Sequence, residues 1–145
     1  MSISPHSIFY RREKNFSKEK LVDTMLKDGL LDAFNNYHMG VTAENVAKKF
    51  NITRDQQDNF ALESQRKTQK AILNGNFKDE LVNVNYDSIF LDLDEHPRKN
   101  LKKSDLEKLK TIFKDNGTVT PGNSSGINDG AAALLLTTQK EADQK

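Results

Sequence analysis

Cysteine is absent from this 145-residue chain. That removes disulfides, Cys-ligated zinc, iron–sulfur clusters and a thiol nucleophile from what these residues can supply. Long apolar runs are missing too. The longest, Ala131–Leu136, falls far short of the roughly 20 residues that a bilayer helix needs, so no membrane is expected as a partner. The opening residues MSISPHSIFYRREK hold no apolar stretch of the secretory kind, and a net charge of +1 gives no global reason to expect nucleic acid. Hydrophobic residues make up 35% and mean hydropathy is −0.75, so the core must be thin for the length. The expectation is a soluble, cytoplasmic protein.

What is there reads as a chain of capped helices with some short strands. Ser17 offers an N-cap for a helix over 18–27, with Leu21, Val22, Met25 and Leu26 on one face and Asp28-Gly29 as its stop. Residues 30–40 read as irregular with local turns. Thr42 is placed to cap a short helix whose face is Ala43, Val46, Ala47 and Phe50. Thr53 and Gln56 form a capping box that opens a helix of about five turns, ended by Asn74-Gly75. Its periodic face includes Phe60, Ala61, Ser64, Thr68, Ala71 and Ile72. Residues 81–84 and 89–91 read as short strands. Ser104 and Glu107 suggest a second capping box, with Leu106, Leu109, Ile112 and Phe113 turned inward. Thr118–Thr120 is β-prone. The run over 131–138 fits a buried strand better than a helix on length, and the last residues open a helix.

Three features invite a functional reading beside a plainer one. Gly122, Gly126 and Gly130 punctuate PGNSSGINDG, in neither the dinucleotide nor the P-loop spacing; a simple turn and a ligand-contacting loop both remain open. Acidic residues dominate 79–95 and basic ones 98–114, so the second stretch is either a solvated helix face or a cradle for a phosphorylated ligand. His38, between Tyr37 and Met39, is either a structural hydrogen-bonding residue or a ligand contact. His6, His38 and His96 lack metal-ligand spacing, so no metal site is expected; spacing leaves a Ser/His/Asp triad open, but no GxSxG elbow is present and nothing in these residues identifies an enzyme.

Three strings resemble the thiolase family, the acetyl-CoA C-acyltransferases: Asp28–Gly40 (DGLLDAFNNYHMG), Val41–Gln65 (VTAENVAKKFNITRDQQDNFALESQ) and Gly117–Leu136 (GTVTPGNSSGINDGAAALLL). Lys67–Val84 and Asp94–Phe113 continue the match. The resemblance implies an α/β chain, α+β as an isolated piece. It would be the loop domain of a thiolase over 1–127, mostly helical with short strands. Residues 128–145 would begin the remaining N-terminal core domain, with one core strand over 131–137 of an incomplete αβα sandwich. On this reading the chain is an internal fragment of a longer enzyme, and NEA-, GHP- and CxGGG-type motifs are absent.

The family's chemistry needs a cysteine thiolate for the acyl group, a histidine that activates it and a second cysteine as acid/base. These residues alone are therefore expected to be inactive. The resemblance instead implies a surface for coenzyme A, with acyl-CoA as substrate and no covalently bound cofactor. It puts Leu30, His38 and Met39 beside the pantetheine arm, Arg98 near the nucleotide end, Phe113 along the groove, and Ser125 and Gly126 against the pantetheine. Thiolase subunits are the implied protein partners, and Ile8–Lys20 resembles the family's tetramerisation loop. Two positions depart from the pattern. Pro121 stands where Ala is common and removes an N–H beside the groove, and Asp105 puts a carboxylate where Ser often lies. A non-catalytic module that binds CoA or docks on a thiolase subunit, and an inert product, are the alternatives.

Overall fold

In a computed structural model the described residues are 1, 3–8 and 21–144. The expected start of the first helix (Ser17 to Lys20) and most of the segment that resembles a tetramerisation loop lie outside them. Two units cluster separately: Leu26–Gly126, and Met1–Met25 together with Ile127–Lys145.

In the discontinuous unit, β1 (His6–Ser7) pairs antiparallel with β2 (Val22–Asp23), His6 opposite Asp23. Val22 is thus in a strand rather than a helix, and the helical turn that follows is of the π type, over Met25–Leu30. It runs through Gly29, which does not stop it. The Met1 amino group pairs with the Asp129 carboxylate. Residues 131–138 are in neither strand nor helix, and Leu135 is 94% exposed. The expected strand is missing for a physical reason. A buried-type strand needs partners along its edges and cover on its faces, and among the described residues nothing pairs with this segment. One helical turn, Gln139–Ala142 (numbered α4 in chain order), follows, with Thr138 accepting from the Glu141 N–H at 3.3 Å.

The larger unit is built on two helices. α1 spans Met39–Phe50 and starts four residues earlier than a Thr42 cap predicts, because His38 is the N-cap. Its inward stripe is Gly40, Glu44 and Ala47, with Val46 and Phe50 exposed. Asn51 ends it in the left-handed conformation, φ 53°. α2 spans Arg54–Leu73, as the capping box predicts: the Gln56 N–H donates to Thr53 Oγ1 at 3.2 Å and the Thr53 N–H to Gln56 Oε1 at 2.8 Å. Its buried residue is Asp58, whereas Phe60 is 78% exposed. A hairpin of β3 (Val84–Tyr86) and β4 (Ile89–Leu91) turns through Asp87 at φ 51°. The first strand is displaced to 84–86 from the expected 81–84.

α3 is short, Lys103–Glu107, and Lys102 rather than Ser104 caps it, its N–H donating to Asp105 Oδ2 at 3.1 Å. The helix stops before Leu109 because its carbonyls are claimed elsewhere. Arg54 Nη2 donates to Leu106 O at 2.6 Å and Leu109 O at 3.2 Å, and the Ile112 N–H turns to Val119 O at 3.3 Å. Thr118–Thr120 is not a strand, although β-prone. Its three N–H groups go to Glu44, Glu44 and Asn123, and its three carbonyls accept from Asn123, Ile112 and Ser124. No backbone group is left for a ladder.

The buried apolar residues, among those described, are Ala47, Leu106 and Val119, beside the buried polar Glu44, Asp58 and Thr120. Among the described residues no helix is long and apolar enough to cross a membrane.

Candidate functional site

The start of α1 carries the densest convergence of the expected ligand contacts. His38 adopts extended backbone, φ −63° and ψ 144°, and its Nδ1 accepts the Gly40 N–H at 3.0 Å. The bond satisfies one of the helix's orphan donors and fixes the ring. With Nδ1 accepting, the neutral imidazole carries its proton on Nε2. Phe113 stacks on this ring, centroids 4.7 Å apart and planes 24° apart. Met39 follows as the first helical residue, about half exposed. Leu31 bridges to His38 across a turn closed by Asp32, so Leu30 enters the same corner of the chain.

Gly40 makes the stack possible. A Cβ there would lie 2.3 Å from Phe113 Cδ2 and Cγ. Alanine would gain about 1 kcal/mol of helix propensity but would drive the ring off His38, at about 1–3 kcal/mol of overpacking. Gly40→Ala is therefore expected to lose the stack and about 1 kcal/mol of stability. His38 ring proton shifts, read by NMR, and the urea midpoint check this; unchanged shifts would show that the ring has room.

A polar clamp positions Thr118–Thr120, which follow Phe113 in the chain. Glu44 Oε1 accepts the N–H groups of Thr118 and Val119, both at 2.8 Å, and Oε2 accepts the Thr118 hydroxyl at 3.1 Å. From α2, Asp58 takes Arg54 Nε at 2.6 Å and Asn123 Nδ2 at 2.9 Å. Gln57 Nε2 donates to Thr118 Oγ1 at 2.8 Å. Burial raises the Glu44 pKa, but the N–H groups of Val119 and Thr118, the Thr118 hydroxyl and the Lys114 charge hold the carboxyl below its ordinary range. Glu44 and Asp58 were not among the residues singled out from sequence. The available signal was the spacing of Gly40, Glu44 and Ala47 on one helical stripe, where a lone carboxylate among small residues needs buried donors.

The remaining expected contacts lie apart. Arg98 is exposed, its backbone N–H donating to Gln65 Oε1 at 2.9 Å. Ser125 and Gly126 are exposed, just beyond Ser124, whose hydroxyl donates to Thr120 O at 2.6 Å. Among the described residues no hydrogen bond, ion pair or ring contact joins them to His38 or Phe113. Asp105 is occupied as the acceptor at the start of α3, and no group of three or more His, Asp or Glu side chains among the described residues is placed to hold a metal.

Residues 1–140 match the family model described as thiolase, N-terminal domain. The chain is 46% identical over 149 residues to an acetyl-CoA acetyltransferase of Rhizobium meliloti, covering 100% of this chain and 38% of that protein. It is 48% identical over 150 residues to an acetyl-CoA acetyltransferase of Chromobacterium violaceum, covering 99% and 38%. Among solved structures, the acetyl-CoA acetyltransferase of Bacillus anthracis superposes with a TM-score of 0.81 at 34% identity, over 97% of this chain and 36% of that one. The chain thus spans little more than a third of the length of the curated relatives it matches.

Proposed function

The chain belongs to the thiolase family, and on that premise we propose that its residues form part of the CoA-facing surface of an acetyl-CoA acetyltransferase and carry none of its nucleophiles. The observation that supports the reading best is the His38–Phe113 stack at the head of α1. It offers a flat apolar wall beside a fixed imidazole whose Nε2–H is suited to a carbonyl of the pantetheine arm. Met39 and Leu30 extend that wall. Arg98 contributes a guanidinium for phosphate or for stacking on adenine, and Ser125-Gly126 a hydroxyl beside a backbone free of a side chain. Acyl-CoA is the substrate class, and the catalytic thiolates belong to residues other than these, since the sequence holds no cysteine.

Calorimetric titration of the purified chain with CoA tests the proposal. Saturable binding is expected, weakened about tenfold in Phe113→Ala; no heat at millimolar CoA would end the reading. The same preparation is expected to show no thiolysis of acetoacetyl-CoA, and measurable turnover that resists purification would overturn the assignment of the nucleophile elsewhere. A second reading, a module that docks on a thiolase subunit, draws on the exposed Leu134–Leu136 run. It predicts the same inactivity and no CoA heat.

A further inference from the structure

Asn-Gly occurs twice in the chain, at Asn74-Gly75 and Asn116-Gly117. In each pair the glycine has no side chain to shield its amide nitrogen from the carboxamide carbon of the residue before it. That is the easiest steric setting for an asparagine to cyclise. The two pairs are chemically alike, and the fold gives them different surroundings.

Asn74-Gly75 closes α2 with a Schellman motif. The Gly75 N–H donates to Ile72 O and the Asn76 N–H to Ala71 O, both at 3.0 Å. Gly75 is left-handed, φ 69°, which is why glycine stands there. Both residues of the pair are exposed, and nothing lies within 4 Å of where a Gly75 side chain would begin. Local bonds hold the turns that follow, from Lys78 N–H to Gly75 O and from Leu81 N–H to Phe77 O. Freeing the Gly75 nitrogen takes one such bond at the frayed end of a helix.

Asn116-Gly117 has a similar short-range bond, from Gly117 N–H to Lys114 O at 3.1 Å. There the likeness ends. Gly117 is half-buried, and a Cβ on it would lie 2.3 Å from Glu44 Oε1 and 2.9 Å from Lys114 O. The next residue, Thr118, gives both its N–H and its hydroxyl to Glu44. Ring closure has to rotate the peptide between Asn116 and Gly117, and that rotation pulls against the Glu44 clamp.

We infer that Asn74 is a site of spontaneous deamidation, and that the fold shields Asn116 from the same reaction. The Gly75 nitrogen attacks Asn74 Cγ. The new N–Cγ bond closes a succinimide ring, and the carboxamide nitrogen leaves with the Gly75 proton as ammonia. Water then opens the ring at either carbonyl. Cleavage between the nitrogen and Cγ leaves aspartate in an ordinary backbone. Cleavage between the nitrogen and the Asn74 backbone carbonyl leaves isoaspartate, with the chain routed through the side chain. Either product puts a carboxylate at the C-terminal end of α2, where the helix dipole is already negative. Isoaspartate also lengthens the backbone by one atom and takes the Gly75 and Asn76 N–H groups out of register with their acceptors. The turns it loosens carry Phe77 and Leu81, which line an apolar cavity of about 220 Å³ with Ile72 and Leu93.

The test incubates the purified chain at mildly alkaline pH and follows both sites by tryptic peptide mapping, with enzymatic methylation of isoaspartate as a second readout. Cleavage after Lys70 and Lys78 separates Asn74 from Asn116. In the folded chain Asn74 is expected to convert about tenfold faster than Asn116, because its turn opens locally. In urea, where only the dipeptide counts, the two rates should converge. Asn74→Gln keeps the backbone of the cap and is expected to abolish isoaspartate in the 71–78 peptide. No conversion at Asn74 overturns the inference, as do equal rates in the folded chain or the same ratio in urea. Isoaspartate that persists in the Asn74→Gln peptide also overturns it, because the reaction would then lie at Asn76.

Discussion

Glu44→Ala should lower the unfolding free energy by about 3 kcal/mol. The carboxylate is 5% exposed and receives two backbone N–H groups and a hydroxyl from Thr118 and Val119. Alanine removes all of these bonds at once and leaves two N–H donors facing a site with no acceptor and little water. Glu44→Gln should cost less, because the amide oxygen still accepts. The urea midpoint at constant slope measures both, and a loss under about 0.5 kcal/mol for the alanine variant would mean that water replaces the carboxylate.

The same group makes the fold acid-sensitive. Its pKa is lower in the folded chain than in the unfolded one, so the unfolded chain takes up the proton first as pH falls. The Glu44 contribution is therefore complete above the ordinary carboxylate value of about 4.3 and is lost as pH falls through the lower, folded value. Asn35 lowers Asp32 and Lys103 lowers Asp55 in the same sense. Comparing wild type with Glu44→Gln between about pH 7 and pH 3 isolates the buried carboxylate, and the variant should show the shallower fall.

Asp58→Ala is expected to be comparably severe, at about 3 kcal/mol. Asp58 is 2% exposed and bridges Arg54 to Asn123. Its loss strands a half-buried guanidinium that also organises the Leu106 and Leu109 carbonyls. A double-mutant cycle with Asn123→Ala should give a coupling of about 1 kcal/mol, and additivity of the two changes would show that they act separately.

Local chemistry was readable from sequence, and long-range polar contacts were not. Thr53 and Gln56 announced α2 because both halves of the cap lie within four residues. Asn74 ended it as expected, and the second hairpin strand fell where the residues suggested. The His38 cap escapes the sequence reading, which places the cap at Thr42, because imidazole is an uncommon cap, although the Nδ1 bond to Gly40 is purely local. The helix expected through Ile112 failed for a different reason. Arg54 lies more than 50 residues from the carbonyls it takes, and no window of sequence contains that contest. The same holds for Thr118–Thr120, whose β propensity lost to side chains arriving from α1 and from the Asn123 turn. As for the candidate site, residue types suggested an apolar wall and a basic end, but only the fold reveals Phe113 on His38.

The composition of the interior has a thermal consequence. Heat capacity rises on unfolding with the hydrocarbon released to water and falls with the polar surface released. Among the described residues, the fully enclosed positions are split evenly between three apolar and three polar side chains. Melting such an interior uncovers little hydrocarbon for its length, so its increment should lie below the ordinary 12–15 cal/mol/K per residue, roughly speaking. The stability curve is then broad and shallow, with a wide plateau in place of a sharp optimum. A fold tied by directional bonds more than by oil is one that chilling loosens only slowly.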